Sequence, residues 1–274
     1  MNSNVPMDLK YQVAAFYKFV EAPFAREILQ SLRMELKSKM LSSGIRGTIL
    51  LAAEGVNGTV VGEEAQMGEL KEYLIHITGL ESLEFKLSQV DHIPFKRTLV
   101  KLKSALIPFG RDENQVQINP ALKTGKHISP VELKAWLDQR DPNLVLIDTR
   151  NDYEIKKGSF KRALNWKLRH FRDFPDAFDQ NKKELEGKKV VMFCTGGIRC
   201  EKATAYASEQ GIDAYQIDGG ILKYFEDVGG AHYDGDCFVF DYRVAVNPDL
   251  EPVPYQTAFP DGRPIDELDG LNGL

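Results

Sequence analysis

The sequence predicts an α/β protein of two domains, a split β-α-β domain followed by a domain built on a parallel sheet. First, strand-like and helix-like segments before residue 110 follow the order β-α-β-β-α-β, with one further strand. Second, a polar and turn-rich run, GRDENQVQINPALKTGKH, interrupts this pattern. Third, two continuous apolar runs follow, LVLIDTR and KVVMFCT, with helix-like segments around them. Such runs are typical of strands that are buried on both faces of a parallel sheet.

The amino-terminal domain begins with a predicted strand and a predicted helix. Residues 13–20 are rich in β-branched and aromatic side chains, which favours a strand. A helix follows Pro23 and ends at Gly44, because apolar residues recur between them at helical spacing. These apolar residues are Ile28, Leu32, Leu36 and Met40.

The strands GTILLAA and GTVVG come next. The turn EGVNG between them contains the Asn57-Gly58 pair, which predicts a hairpin. A second helix is predicted over 63–77, and the strands FKLSQV and TLVKLKSALI complete the domain. This order is the ferredoxin-like plan. We therefore predict a ferredoxin-like (acylphosphatase-like) domain over residues 1–110, with a role in binding the substrate; many functions share this fold.

The rest of the chain divides by composition. We predict a linker at 111–125, the parallel-sheet domain at 126–230 and a carboxy-terminal extension at 231–274. Ser129 and Pro130 mark the start of the first helix of this domain, as an N-cap and a residue suited to the first helical position. The extension contains the strand-like segment CFVFDYRVAV.

The composition excludes several classes of protein. The formal net charge is −5, unlike that of a uniformly basic nucleic-acid-binding protein, although local basic patches are compatible with it. The three cysteines are too few for a disulfide framework and indicate a reduced, cytoplasmic compartment. We expect no secretory signal, and no apolar run reaches the ~20 residues of a membrane span. The five histidines have no metal-ligand spacing, so we expect no metal site.

The candidate chemistry lies in the loop 194–199, between the predicted strand KVVMF and a helix that is predicted to begin near residue 200. Cys194 is thus expected at the carboxyl edge of the parallel sheet, where α/β proteins bind ligands. Gly196 and Gly197 let the loop turn its N–H groups inward as an anion-binding nest. Together with the helix dipole and the charge of Arg199, this favours a Cys194 thiolate. The alternative is a buried, inert cysteine, against which the glycine pair and Arg199 argue.

The loop Cys-Thr-Gly-Gly-Ile-Arg resembles the active loop of rhodanese domains, and IDTRNDYEIKKGSFKRALN and Asp218-Gly219-Gly220 resemble two further rhodanese motifs. The resemblance implies that Cys194 and Arg199 are catalytic. The residues expected to hold a persulfide or another anion are Thr195, Gly196, Gly197 and Ile198. The residues that match the supporting motif are Asp148, Arg150 and Glu154. The four residues between Cys194 and Arg199 are fewer than in a tyrosine-phosphatase loop, which favours a single sulfur over a phosphate.

A closer resemblance rests on CTGGIRCEKA, AAEGVNGTV, PFKRTLVKLK and GDCFVFDYRVAV, which together look like the tRNA uridine-34 hydroxylase family. These are rhodanese-containing enzymes. The resemblance implies an oxidoreductase that forms 5-hydroxyuridine at position 34 of tRNA, with molecular oxygen as co-substrate and no evident cofactor. It also implies a tRNA anticodon loop as partner. Many members continue into a cysteine-rich tail, which this sequence lacks up to Leu274.

Two other functions stay open. A plain sulfurtransferase would carry a persulfide on Cys194, but simple sulfur transfer does not need the amino-terminal domain. A non-catalytic RNA-binding adaptor would not need the intact Cys194 and Arg199. Either function can be separated from tRNA hydroxylation by mass analysis of tRNA.

The other two cysteines support narrower expectations. Cys200 lies at the predicted helix start and is a candidate resolving thiol for Cys194, with a partly buried helix residue as the equal alternative. Cys237 lies in the apolar segment CFVFDY and is expected to pack in the core.

Basic residues in two segments are candidate RNA contacts. In the first domain they are Lys96, Arg97, Lys101 and Lys103, and in the second they are Arg169 and Arg172. Lys101 and Lys103 share one face of a predicted strand and could follow an RNA backbone. The alternatives are a strand edge protected by lysines and a solvated loop.

Overall fold

A computed structural model of the chain describes residues 10–110 and 118–253. The chain forms two compact units that divide between Leu106 and Ile107. Residues 111–117 of the predicted linker and residues 254–274 of the predicted extension lie outside the described part. Within the described part, no helix is both long enough and apolar enough to cross a membrane.

Over residues 10–106, the first unit forms a five-stranded mixed sheet with two helices. Its elements are β1 (Tyr11–Phe19), α1 (Arg26–Ser42), β2 (Arg46–Ala52), β3 (Gly55–Gly62), α2 (Glu64–Thr78), β4 (Lys86–Val90) and β5 (Thr98–Leu102). The strand order is β4-β1-β3-β2-β5. The first four strands pair antiparallel, and β5 pairs parallel with β2. This confirms the predicted ferredoxin-like plan with one added edge strand.

The buried face of α1 differs from the predicted one at its first position. Leu29 is buried with Leu32, Leu36 and Met40, whereas Ile28 is 50% exposed. The predicted series advances by four residues each time, and every such step drifts by about 40° in a helix of 3.6 residues per turn. Three steps therefore carry Ile28 off the stripe that faces the core.

The hairpin between β2 and β3 turns earlier than the Asn57-Gly58 pair predicts. Ala52 pairs with Gly55, while Asn57 lies opposite Leu50 within the strands. Gly58 is a packing residue, because a Cβ atom there would lie 2.6 Å from the ring of Phe16. Gly58, which suggested a turn in the sequence, is required instead for close packing against Phe16.

The described residues of the second unit form a five-stranded sheet of order β6-β11-β10-β7-β9. All its strands pair parallel, which confirms the predicted parallel sheet. Its first elements are β6 (Lys126–Ile128), α3 (Pro130–Gln139), β7 (Leu144–Asp148), α4 (Asp152–Ile155), β8 (Gly158–Phe160), β9 (Leu164–Asn165) and α5 (Phe174–Asn181). The later elements are β10 (Lys189–Phe193), α6 (Ile198–Glu209), β11 (Ala214–Ile217), α7 (Gly220–Val228), β12 (Tyr233–Gly235), β13 (Cys237–Phe238) and β14 (Ala245–Val246). Two 3₁₀ turns flank α5, at Phe171–Asp173 and Lys182–Leu185.

The second unit includes residues on both sides of the predicted range 126–230. Ile107 and Phe109 belong to its core, where the Phe109 ring lies 5.7 Å from that of Tyr206. At the other end, β12 pairs with β8, and β13 pairs with β14 as a short hairpin. The first domain therefore ends four residues earlier than predicted, at Leu106 instead of residue 110. The described part of the predicted extension belongs to the fold.

Helix α6 is enclosed on all sides. Nine consecutive residues, from Arg199 to Ala207, are buried. The chain before β6 lies against it, because Lys202 Nζ donates to the Ile107 carbonyl oxygen at 2.9 Å and Thr124 Oγ1 donates to Glu201 Oε2 at 2.7 Å. The helix that carries Arg199 and Cys200 is thus held rigidly against the sheet.

Candidate active site

Cys194 is the first residue after β10, which lies between β7 and β11 in the parallel sheet. This places it at the carboxyl edge of the sheet, as expected. The loop is tighter than predicted, because α6 begins at Ile198 and Arg199 already lies in its first turn. Gly197 precedes the helix with φ of 102°, a conformation that side chains rarely adopt. The glycine pair allows this abrupt change from strand to helix.

The thiol of Cys194 is surrounded by hydrogen-bond donors. The backbone N–H of Gly197 donates to Sγ at 3.1 Å, and the Cys200 side chain and the backbone N–H of Arg199 lie close enough to act on the same sulfur atom. Burial alone would raise the pKa of the Cys194 thiol, but these donors and the Arg199 charge lower it overall. The site therefore stabilises a buried thiolate.

Cys200 has the opposite character. Burial is the largest effect and raises the pKa of its thiol, and the neighbouring Cys194 raises it further. Thr149 Oγ1 lies 3.6 Å from Cys200 Sγ and donates to the Phe193 carbonyl oxygen at 3.0 Å. The site thus places a thiol of lowered pKa beside a thiol of raised pKa.

Arg199 is bound to Glu154 in a buried, bidentate ion pair. Its Nη1 and Nη2 atoms donate to the two carboxylate oxygens at 2.6 and 2.8 Å. Glu154 also accepts from the backbone N–H of Asn151 at 3.1 Å. Glu154 raises the pKa of Arg199 despite the burial of the guanidinium, so this cation stays charged. Arg199 acts on Cys194 through its charge and its backbone N–H.

The supporting residues Asp148 and Arg150 form a second buried pair. Arg150 Nε and Nη2 donate to the Asp148 carboxylate at 2.9 and 2.6 Å, and Nη2 also donates to the Gly158 carbonyl oxygen at 2.7 Å. Ser159 Oγ donates to Asp148 at 2.7 Å. These contacts join the end of β7 to β8. Their role is to fix the sheet edge on which the loop lies.

Helix α7 closes the loop from below. The N–H groups of Ile221 and Leu222 donate to the carbonyl oxygens of Cys194 and Thr195 at 2.9 and 3.1 Å. A Cβ atom at Gly220 would lie 2.5 Å from the Cys194 oxygen, and φ there is +67°. This explains the Asp-Gly-Gly segment: only glycine lets the helix start approach the loop this closely.

The hairpin of β13 and β14 covers the other side of the loop, which the sequence analysis did not predict. Thr195 Oγ1 donates to the Phe238 carbonyl oxygen at 3.3 Å, and Arg199 Cζ lies 5.9 Å from the centre of the Phe240 ring. Phe238 packs edge-on against Tyr153. The apolar segment CFVFDY indicated a strand, but the spacing of its apolar residues did not reveal which residues the strand contacts. Cys237 packs in the core, and burial raises the pKa of its thiol to about 12.

The candidate RNA contacts lie in separate units. Lys96 and Arg97 are exposed before β5, and Lys101 and Lys103 are half-buried in and just after that strand. Val100 packs in the helix-covered core, so Lys101 points to the opposite face of the sheet. Arg169 is exposed and Arg172 half-buried before α5. Their role in RNA binding stays a prediction.

Among the described residues, no group of three or more His, Cys, Asp or Glu side chains could hold a metal ion. The donors around Cys194 act on its own sulfur atom, which suits a thiolate. The use of cofactors stays a prediction.

Comparison with known proteins covers both units. Residues 11–106 match the UPF0176 acylphosphatase like domain, and residues 129–227 match the rhodanese-like domain. Among solved structures, similarity is found to a rhodanese-related protein from Thermoplasma volcanium, at 22% identity, over 38% of this chain and 93% of that one, with a TM-score of 0.31. It is also found to a rhodanese-like domain protein from Staphylococcus aureus, at 30% identity, over 36% of this chain and 90% of that one, with a TM-score of 0.31.

A much longer match joins the two units in one protein. The chain is 44% identical over 241 residues to a tRNA uridine(34) hydroxylase of Cupriavidus metallidurans, which is 86% of this chain and 83% of that protein. A match of this length includes most of both units. The chain belongs to the tRNA uridine(34) hydroxylase family.

Proposed function

We propose that this chain is an oxidoreductase that hydroxylates C5 of uridine 34 in tRNA, with dioxygen as co-substrate and Cys194 as the reacting residue. The observation that carries the proposal is the 44% identity to a tRNA uridine(34) hydroxylase over 86% of the chain. The buried thiolate at the sheet edge supports it, because a nucleophile in that position can react with an electron-poor ring.

The thiolate would add to C6 of the uracil ring, which makes C5 electron-rich. Dioxygen and a proton would then form a hydroperoxide at C5. Two thiols that become a disulfide would reduce it to a C5 hydroxyl group and water, and loss of the C5 proton and of the Cys194 thiolate would restore the ring. The donors around Cys194 support this role, because they stabilise the thiolate both before it adds and after it leaves. The Arg199–Glu154 pair is a positioning element in this scheme, since it fixes the first turn of α6.

The base would approach the loop at Gly196. Cys194 itself is 1% exposed, whereas Gly196 is partly exposed and a Cβ atom there would meet open space. An anticodon loop suits such a site, because its bases are single-stranded and can turn outward. Phosphate contacts would come from the six basic residues named above, in a chain of net charge −5.

The test is mass analysis of tRNA nucleosides from a strain that lacks the gene. We expect 5-hydroxyuridine at position 34 to return with the wild-type gene, to stay absent with Cys194→Ser, and to depend on oxygen. Labelled dioxygen should place its isotope in the new hydroxyl group. A Cys194→Ser variant that restores the nucleoside would contradict the role of the cysteine.

Contacts with RNA have their own test. Neutralising Lys101 and Lys103, or Arg169 and Arg172, should weaken tRNA binding and flatten its dependence on salt, because fewer counterions are released. Alkylation of Cys194 should stay unchanged in these variants. An unchanged salt slope would favour the solvated-edge interpretation of the basic residues.

A sulfurtransferase is the second candidate, favoured by the match of residues 129–227 to the rhodanese-like domain. The N–H group that contacts Cys194 Sγ at 3.1 Å would stabilise a persulfide as well. Transfer of sulfur from thiosulfate to cyanide by the purified protein would support this function. Formation of 5-hydroxyuridine without any sulfur donor would set it aside as the main activity.

A further inference from the structure

Two of the three cysteines, Cys194 and Cys200, are buried in the same core cluster at the candidate active site. Cys194 follows β10 and Cys200 lies in the first turn of α6, and each side chain shifts the pKa of the other's thiol. Each residue is 1% exposed. The tight loop brings the two residues together, because the Gly197 N–H donates to Cys194 Sγ while the Gly197 carbonyl oxygen accepts from the Cys200 N–H at 2.9 Å.

Hydroxylation by dioxygen has a requirement that this pair meets. One oxygen atom enters the C5–H bond of uracil, and the other leaves as water, which consumes two electrons and two protons in addition to those of the C–H bond. Two thiols that become one disulfide release just these two electrons and two protons.

We infer that Cys194 and Cys200 form a redox-active dithiol that supplies the two electrons of the hydroxylation and becomes a disulfide once per turnover. This inference rests on the proposed function. The overall reaction is uridine, dioxygen and two thiols giving 5-hydroxyuridine, water and one disulfide.

The individual steps balance as well. After the Cys194 thiolate adds to C6, dioxygen and a proton form a hydroperoxide at C5. The Cys200 thiol breaks the O–O bond, which leaves a C5 hydroxyl group and a sulfenic acid on Cys200. Loss of the C5 proton and of Cys194 from C6 then gives 5-hydroxyuridine. Finally the Cys194 thiolate attacks the sulfenic acid of Cys200, forming the S–S bond and releasing water.

The environments of the two sulfurs suit these separate roles. Cys194 is stabilised as the anion that adds to the ring, while burial keeps Cys200 protonated until it reacts. Thr149 Oγ1, 3.6 Å from Cys200 Sγ, fixes the position of the second thiol. Cys237, in contrast, packs in a different core cluster with the hairpin of β13 and β14. It therefore serves as a matched control.

The disulfide must be reduced before the next turnover. An external dithiol can do this by thiol–disulfide exchange, in which its own two thiols become a disulfide. The reaction therefore depends on a reductant of this class only after the first turnover, which provides the basis of the test.

The experiment uses the full chain and an unmodified tRNA transcript with uridine at position 34. The protein is reduced with dithiothreitol, freed from it without air, and then mixed with the transcript in air-saturated buffer. The readouts are 5-hydroxyuridine per protein, by nucleoside mass spectrometry, and the cysteine pairing, by peptide mass mapping. We expect at most one 5-hydroxyuridine per protein, an equal amount of Cys194–Cys200 disulfide, and continued turnover when dithiothreitol is present.

Variants separate the redox role from a structural one. Cys200→Ser keeps a hydrogen-bond donor beside Cys194 but cannot form the disulfide, so we expect Cys194 alkylation to remain and the reductant-free burst to fall at least ten-fold. Cys237→Ala should keep the burst. Many turnovers without reductant, a burst that leaves both thiols titratable, or a full burst in Cys200→Ser would each overturn the dithiol. Absence of 5-hydroxyuridine from the wild-type protein with both air and dithiothreitol would instead overturn the proposed function.

Discussion

At the scale of single residues, the acidity of Cys194 results from two opposing effects. Burial disfavours the thiolate, while the Cys200 thiol, the Arg199 charge and two backbone N–H groups favour it more strongly. The position, the glycines and the positive charge could be predicted from the sequence because they lie within one short loop. The contact with Cys200 could not, because it depends on how early α6 begins.

We expect the rate of Cys194 alkylation by iodoacetamide to rise with pH around a midpoint below ~8.5, the ordinary value of a cysteine. The thiolate is the reacting form, so reactivity appears as the pH rises through the lowered pKa and is lost below it. Cys200→Ala should move the midpoint up, because it removes a side chain that lowers the pKa of the Cys194 thiol. Cys237→Ala is the control, and a midpoint near 8.5 in the wild type would contradict the thiolate.

Arg199 forms an ion pair that could not be predicted from the sequence of the loop. Its partner Glu154 lies 45 residues earlier in the chain, so only the folded structure reveals that the guanidinium is bound to a carboxylate. Removing either member leaves a buried charge without its partner.

We therefore expect Arg199→Met and Glu154→Gln each to lower the free energy of unfolding, by about 3–5 kcal/mol, in urea denaturation. The double variant Glu154→Gln/Arg199→Met should recover part of this loss, because it leaves no unpaired charge and keeps an acceptor for Asn151. It should not recover tRNA hydroxylation, since the Arg199 charge beside Cys194 is gone. Strictly additive losses of stability in the double variant would count against the pair.

At the scale of elements, the surroundings of the loop 194–199 depend on two glycines with different structural roles. Gly220 lets α7 approach the loop from one side, and Gly196 leaves the other side open. The continuous apolar runs were sufficient to predict the parallel strands. The phase of α1 and the turn at Ala52–Gly55 were not predicted correctly, because local signals there compete with packing against Phe16 and the core.

Gly220→Ala should destabilise the second unit and slow Cys194 alkylation, because the new methyl group would displace the loop. Gly187→Ala is the matched control, since φ is +71° there and a Cβ atom meets open space. The control should cost only the backbone strain of about 1–2 kcal/mol, and Gly220→Ala about 1–3 kcal/mol more. Equal losses of unfolding free energy would refute the close approach of α7.

Gly196→Leu should abolish tRNA hydroxylation while leaving the fold and iodoacetamide labelling nearly intact. The side chain would project into the open space through which a base would arrive, and nothing lies within 4 Å of its Cβ atom. Unfolding in urea and labelling of Cys194 are the controls, and nucleoside mass analysis is the readout. Retained hydroxylation would mean that the base approaches from another direction.

At the scale of the whole molecule, the two units and their order could be predicted, because each has its own hydrophobic pattern. Their limits were less accurate. Ile107 and Phe109 follow a strand of the first unit in sequence but belong to the core of the second. A polar stretch marks a domain boundary only approximately. An apolar residue near it can pack in either core, and which one depends on contacts with residues distant in sequence.

A fragment that begins at Ile107 should fold and keep Cys194 alkylation, yet lose tRNA hydroxylation because the first unit is absent. A fragment that begins at Ile118 should be less stable by about 3–5 kcal/mol, since it lacks the buried Phe109 ring and the carbonyl oxygen that Lys202 contacts. Urea denaturation of the two fragments measures the difference. Equal free energies of unfolding of the two fragments would instead support the domain boundary at residue 110 that the composition predicts.

The enclosure of α6 also bears on how such a sequence can change. An ordinary surface helix has a solvent-exposed face, on which substitutions change stability little. In α6, however, nine consecutive residues are buried. Glu201 and Lys202 are held by Thr124 and by Ile107, residues outside the stretch that matches the rhodanese-like domain. Two requirements therefore restrict the segment CTGGIRCEKA. One is the chemistry of Cys194, and the other is the packing of α6 against the segment that contains Ile107 and Thr124. A library of α6 variants should tolerate few replacements even where no reacting atom is near.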